Sequence, residues 1–243
     1  GIRGGLPRAL RAYQAHVSAL AERTLASVYP RLRDRVEADR AGSFASLAWA
    51  CWRRFPPQDG DLGDWGEALI GLLASAEADG LPPLWTALAR IEWSLHRVAR
   101  IADPAPDLNS LALLGRLPAG AVRLVLADHV VLHEGDGGGP GMQALLELAC
   151  ESFGSGPRAS LMVWRDGWGG QSIALDEVTT RWCRSLRAAL DLERALLEAG
   201  SGFDFSAWLS AAVTRGWLAR VETIEPLQAI GGIERVLTPW GGR

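Results

Sequence analysis

The chain has 243 residues, of which 48% are hydrophobic and 22% are charged, and its formal net charge is −3. This composition supplies enough apolar side chains for a full core and excludes a chain that is disordered over most of its length. Its basic residues are all arginine and are interleaved with acidic residues, so they form no large positive field of the kind that nucleic-acid binders use.

Three cysteines, Cys51, Cys150 and Cys183, lie far apart and form neither a CxxC pair nor a metal-ligand spacing. We interpret them as reduced and mostly buried thiols, which agrees with a cytoplasmic protein. The sequence shows no signal-peptide pattern and no run of about 20 apolar residues. We therefore expect a cytoplasmic location and no membrane segment.

Apolar residues at helical spacing predict that residues 8–100 are helical. Pro30 is expected to break the first helix. Ser43–Arg54 is predicted to be a helix capped by its serine, and Asp64 is predicted to cap a third helix. The Gly80–Pro83 turn then precedes a fourth helix that runs to about Ile101.

In the second half of the chain the spacing of apolar residues changes from helical to strand-like. Short runs rich in β-branched residues predict strands at 122–126 and 130–132. Met142–Phe153 is interpreted as an inserted helix. Residues 159–165 and 171–175 flank a Gly-rich turn and are predicted to form a β-hairpin.

Three helices are predicted to follow the hairpin, because Asp176, Asp191 and Asp204 each stand where a helix N-cap is expected. The tail from Val221 onward contains several Gly and Pro residues and is expected to be irregular. A hairpin followed by three helices is the element order of a winged helix.

We therefore predict an α+β fold with two domains. Residues 1–117 would form a mostly helical N-terminal domain, and residues 118–243 a winged-helix-like domain with a small antiparallel sheet. Some winged helices bind DNA with the third helix, whereas others bind a peptide along the sheet edge. The solvent face of the predicted third helix carries Ser206, Ser210, Thr214 and Arg215. Only one of these side chains is basic, which disfavours recognition of DNA bases.

The sequence indicates no catalytic residue, metal site or cofactor. His129 and His133 are four residues apart in strand-like sequence, where they would be about 13 Å apart, too far to share a metal ion. Gly135–Gly141 lacks the spacing of phosphate and dinucleotide loops. Glu92, on an apolar helix, is expected to hold a helix end or an arginine.

An exposed sheet edge can bind an extended peptide through backbone hydrogen bonds. Ser172, Ile173, Ala174 and Leu175 are predicted to form such an edge, with Trp208, Ala212 and Arg215 as the neighbouring helix wall. Trp164 and Trp168 flank the hairpin turn and are candidates for a contact surface, because aromatic residues are enriched at binding hot spots. Trp164 is therefore added to the predicted peptide-binding residues.

Short motifs along residues 8–220 occur in an order that resembles the HvfC/BufC-type family, whose N-terminal region has been described as DNA-binding. The motifs are Leu10-Arg11-Ala12-Tyr13, Tyr29-Pro30, Phe44, Phe55-Pro56-Pro57, Leu81-Pro82, Leu88 to Trp93, Val163 to Gly167 and Leu209 to Leu218.

The resemblance implies a non-catalytic partner of multinuclear non-haem iron-dependent oxidative enzymes, which modify Cys residues of ribosomally made precursor peptides such as those of methanobactin and bufferin-like metallophores. The partner would bind the precursor leader and dock it on the iron enzyme as a heterodimer, and the iron would belong to the enzyme. A winged-helix transcriptional regulator and a scaffold protein without peptide binding are the alternatives.

Overall fold

The computed structural model describes residues 5–58, 60–102 and 105–224. Helices and small, mainly antiparallel sheets make up this part of the chain, which confirms the α+β class. The helices are α1 (Gly5–Val28), α2 (Pro30–Asp39), α3 (Ser43–Arg54), α4 (Leu62–Trp65), α5 (Ala68–Ala76), α6 (Pro83–Arg100), α7 (Pro140–Leu148), α8 (Glu177–Arg187), α9 (Leu192–Ala199) and α10 (Phe205–Thr214). The strands are β1 (Val122–Leu126), β2 (Val131–Glu134), β3 (Glu151–Phe153), β4 (Arg158–Asp166), β5 (Gly169–Asp176) and β6 (Leu218–Thr223).

The predicted break at Pro30 is confirmed, because α1 ends at Val28 and Pro30 opens α2. The predicted serine cap of α3 is wrong. Gly42 occupies the N-cap position with φ 75°, and the Glu37 carboxylate accepts hydrogen bonds from the backbone N–H groups of Gly42 and Phe44. A residue of the preceding helix thus satisfies the free donors of this helix end.

The predicted cap at Asp64 is also wrong, because Asp64 lies inside the short helix α4. Asp61 is the N-cap, and its side chain accepts a hydrogen bond from the backbone N–H of Gly63. The segment expected to be one helix is divided into α4 and α5.

Glu92 holds a helix end, as expected. Its two carboxylate oxygens accept hydrogen bonds from the backbone N–H groups of Arg31 and Leu32, at 2.8 and 2.9 Å, in the first turn of α2. Burial raises the pKa of Glu92 to about 7, although these two hydrogen bonds favour the charged form. The contact ties α2 to α6 through an otherwise apolar core.

Two sheets lie in the second half of the chain. Strands β1 and β6 form an antiparallel pair, and a second sheet has the order β2-β4-β5-β3. The β4–β5 hairpin is present as predicted, and β3 runs parallel to β5. The three predicted aspartate caps are confirmed, since Asp176, Asp191 and Asp204 each accept a hydrogen bond from the backbone N–H three residues later.

Two predicted segments are corrected. The inserted helix ends at Leu148 rather than Phe153, and residues 151–153 form strand β3 instead. Residues 221–223, expected to be irregular, belong to β6, which pairs with β1. The rest of the tail, residues 225–243, lies outside the described residues.

Both faces of the four-stranded sheet are buried, and strand alternation divides its side chains between two cores. Leu161, Val163 and Ala174 pack with α6 of the first half and with α7. Met162, Trp164, Ile173 and Leu175 pack on the opposite face with α8, α9 and α10. The sheet is therefore shared between the two halves, and the boundary at residues 117 and 118 stays a prediction. Within the described part of the chain, no helix is both long and apolar enough to cross a membrane.

We expect the two halves to unfold together, because Leu161 is buried between the sheet and α6. Leu161→Ala should lower the free energy of unfolding by about 2–5 kcal/mol and leave a single transition. Urea unfolding followed by both circular dichroism and tryptophan fluorescence measures this. Leu197→Ala is the control, because Leu197 is 75% exposed and its truncation should change stability by less than about 0.5 kcal/mol. Two transitions, one of them unmoved by Leu161→Ala, would contradict the prediction.

The raised pKa of Glu92 predicts a pH-dependent stability. A carboxyl group whose folded pKa of about 7 exceeds the ordinary 4.5 stabilises the fold below pH 4.5 and loses this contribution as the pH rises to 7. Between pH 4.5 and 7, the free energy of unfolding of the wild-type protein should therefore fall by about 3 kcal/mol relative to that of Glu92→Gln.

Urea unfolding at pH 4.5, 6 and 8 measures this difference. Glu37→Gln is the contrasting variant, because hydrogen bonds from the backbone of Gly42 and Phe44 lower the pKa of Glu37. The free energy of unfolding of the wild type should therefore rise with pH relative to that of Glu37→Gln. If the difference in free energy of unfolding between wild type and Glu92→Gln stays constant from pH 4.5 to 8, the raised pKa of Glu92 is refuted.

Candidate functional site

The predicted open edge at Ser172–Leu175 is wrong. These residues lie in β5, which pairs with β4 on one side, while Ile173, Ala174 and Leu175 pair with Glu151, Ser152 and Phe153 of β3 on the other. The side chains of residues 172–175 are all buried. The chain itself therefore supplies the strand that was expected to come from a bound peptide.

The other predicted site residues are distributed between the core and the surface. Trp208 and Ala212 of α10 are fully buried, and Trp208 contacts Trp182 with ring centroids 5.2 Å apart. Trp164 is 3% exposed and belongs to the same core, whereas Trp168 at the hairpin tip is 95% exposed. Of the two tryptophans that flank the turn, only Trp168 can contact another molecule in this conformation.

Arg215, which directly follows α10, is a predicted site residue that contacts two aromatic rings and a carboxylate. Its guanidinium group lies 5.8 Å from the ring centroid of Trp164 and 5.6 Å from that of Trp217, distances typical of cation–π contacts. It also forms an ion pair with Glu151 of β3 at 2.8 Å. Arg215 thus joins the end of α10 to the outermost strand of the sheet.

The position that β3 occupies is a groove between β5 and the end of α10. We call it the β3 groove and define it by Ile173–Leu175, Arg215 and Trp217. Glu151 meets Arg215, and the Phe153 ring meets Trp217 edge-on with centroids 6.1 Å apart. Glu151 and Phe153 are two residues apart, so their side chains share one face of the strand.

The carboxyl end of β3 is held by two side chains. The Arg158 guanidinium donates hydrogen bonds to the backbone oxygens of Phe153 and Gly154, and Asp176 accepts one from the backbone N–H of Gly156. Gly154 has φ +84°, and a Cβ there would collide with the Asp176 carboxylate. A glycine is required here, both by the left-handed backbone and by this close approach.

A cavity of about 300 Å³ adjoins the groove on the far side of Arg215. Arg165 and Arg220 line it together with His129, which is 4% exposed. The His129 Nδ1 atom is buried and has no hydrogen-bond partner among the described residues. The surface beyond Arg215 is therefore polar and concave.

Other titratable groups form contacts within the fold. His133 of β2 hydrogen-bonds through Nε2 to Ser94 Oγ of α6 at 2.8 Å, and burial lowers the pKa of His133 to about 4, with Arg187 acting in the same direction. Burial raises the pKa values of Cys51 and Cys183 to about 12. Nowhere in residues 5–58, 60–102 and 105–224 do three or more His, Cys, Asp or Glu side chains cluster as metal ligands would.

The residues that sequence reasoning missed are Glu151, Phe153, Arg158 and Trp217. Glu151 and Phe153 were assigned to a helix, although Gly154 follows Phe153 directly and Gly156 comes two residues later, and a strand would place both side chains on one face. These two glycines were the available signal that residues 151–153 form a separate short element.

Comparison with known proteins gives no further assignment. No protein-family model matches the chain, and no curated protein matches it.

The contrast between the two hairpin tryptophans is testable. Trp164→Ala removes a ring buried against Trp217 and Arg215 and should lower the free energy of unfolding by about 3–5 kcal/mol. Trp168→Ala should change it by less than about 0.5 kcal/mol, because that ring is exposed. Urea unfolding of both variants checks this, and an equal loss in both would show that the hairpin tip is packed in solution.

Proposed function

We propose that this chain is a non-catalytic partner subunit that binds the leader of a ribosomally made precursor peptide and docks it on a multinuclear non-haem iron oxidative enzyme. One observation carries the peptide-binding part of the proposal. The β3 groove holds an extended segment through strand pairing with β5, an ion pair to Arg215 and a ring contact with Trp217. Backbone pairing with selective side-chain contacts is how proteins bind peptides by strand addition.

The arrangement around the groove supports this reading. The β4–β5 hairpin is followed by α8, α9 and α10, and α10 packs on the face of the sheet that carries Trp164, Ile173 and Leu175. This order is similar to that of winged-helix leader-recognition domains, which bind the leader along the sheet edge. We propose that the leader lies along β5 here, beside α10.

The iron enzyme as partner follows from the family resemblance of the motifs between Leu10 and Leu218. The exposed Trp168 is suited to such a contact, since a rigid aromatic side chain buries a large area on binding at a small entropic cost. It projects from a two-stranded hairpin that is fixed by Arg165, whose Nε donates to the backbone oxygen of Gly167 and whose Nη1 donates to that of Ile101.

The same contacts disfavour the transcriptional-regulator alternative. Helix α10 contains neither Arg nor Lys, and Arg215 just beyond it is engaged with Glu151. A recognition helix in the major groove needs several side chains that read base edges. The face available to DNA carries serine and threonine instead.

The proposal predicts that the full chain binds a synthetic leader peptide of its ribosomally made precursor. Isothermal titration should give a saturable isotherm with a negative heat-capacity change, because apolar surface is buried, and a scrambled leader of the same composition should not bind. Co-expression should yield a complex of the chain with its partner iron enzyme.

A result in which neither the leader nor the iron enzyme binds would overturn the proposal. A gel-shift experiment at several salt concentrations tests the alternative. Tight DNA binding that weakens steeply with salt would identify a regulator instead.

A further inference from the structure

The short strand β3 makes each contact that a bound peptide would make in the β3 groove. It pairs in parallel with Ile173–Leu175, places a carboxylate on Arg215 and places an aromatic ring on Trp217. Between them, Ser152 is exposed, and no side-chain hydrogen bond joins it to the described residues. The segment therefore uses two side chains, at positions i and i+2, to occupy the groove.

We propose that β3 is an internal ligand of the groove, and that a partner peptide displaces it by presenting an acidic residue two positions before an aromatic one. This inference rests on the proposed function, because it specifies which peptide the groove selects and how access to the groove is regulated. The peptide lies parallel to β5, with its acidic residue on Arg215 and its aromatic ring on Trp217.

Displacement fits the contacts better than addition of a further strand outside β3. Arg158 already donates hydrogen bonds to the backbone oxygens of Phe153 and Gly154, so these acceptors are occupied. A strand added outside β3 could not make these contacts with Arg215 and Trp217, because Glu151 and Phe153 already make them. Only the position of β3 itself offers charge and ring complementarity together.

The contacts that hold β3 are few enough to be exchanged. The strand has three residues, and the side chains of Glu151 and Ser152 are exposed while Phe153 is partly buried. The ion pair to Arg215 is also partly open to solvent, with the two side chains 33% and 55% exposed, so it stabilises the docked strand only modestly. Local segments with few buried contacts open most easily.

The chain on either side of β3 stays in place when the strand leaves. Leu145 and Leu148 of α7 are buried against the first core, and Asp176 holds Gly156 after the strand. The segment that moves is therefore limited to about residues 149–154. An internal ligand of this kind lowers the apparent affinity of a peptide by the fraction of molecules in which the groove is open.

The test uses the full chain and a fluorescein-labelled synthetic peptide with the sequence of residues 148–156, in which serine replaces the cysteine. Glu151→Ala combined with Phe153→Ala weakens the internal strand and should increase the affinity for this peptide by at least about tenfold, as measured by fluorescence anisotropy. Ser152→Ala is the matched control in the same strand and should leave the affinity unchanged.

The peptide itself is varied in parallel. Replacing its phenylalanine by alanine should weaken binding to the double variant about tenfold, and replacing its glutamate by glutamine should weaken it by about two- to fivefold, because the ion pair is partly exposed. Thermal melts by circular dichroism confirm that each protein variant is folded. Glu151→Gln alone, which keeps the side-chain shape, should give a smaller gain in affinity and serves if the double variant is unstable.

The outcomes separate this inference from the proposed function. Equal affinity of wild type and double variant for the peptide, or no binding to either, overturns the internal-ligand inference. If the natural leader binds wild type and is not improved by the double variant, the inference fails while the proposed function stands. If the 148–156 peptide binds the double variant but no leader binds any form, the inference stands and the proposed function fails.

Discussion

The central constraint on this molecule is that its four-stranded sheet is covered on both faces. Helix α6 packs on the face that carries Leu161 and Ala174, and α8 to α10 pack on the face that carries Met162 and Trp164. A sheet enclosed in this way can recognise a polypeptide only at its edges, where backbone donors and acceptors are not already paired. The strand order β2-β4-β5-β3 makes β2 and β3 the edge strands, so the groove beside β5 becomes an edge only when β3 leaves it.

Local signals predicted much of the fold correctly. The β4–β5 hairpin and the caps at Asp176, Asp191 and Asp204 were predictable, because a turn or a cap depends on residues that are adjacent in sequence. The caps of the N-terminal helices were predicted wrongly. The start of α3 is satisfied by Glu37 from the preceding helix, and a serine at the helix start gave a plausible but incorrect local answer.

The candidate site was harder to predict because it depends on pairing between segments distant in sequence. Residues 172–175 have the composition of a strand, but composition does not distinguish a strand at the edge of a sheet from one inside it. Strand β3 is too short to show a hydrophobic period of its own, and only two residues separate it from the preceding helix. Arg215 was predicted as part of the helix wall, whereas its partner Glu151 lies 64 residues earlier in the chain and carries no local signal of that contact.

The connection between α7 and β3 consists of two residues, Ala149 and Cys150. So short a link offers almost no slack, and α7 in turn packs along α6, the helix whose Glu92 anchors the start of α2. Because Leu145 and Leu148 fix α7 in the first core, Ala149 and Cys150 would form the pivot at which β3 leaves the groove.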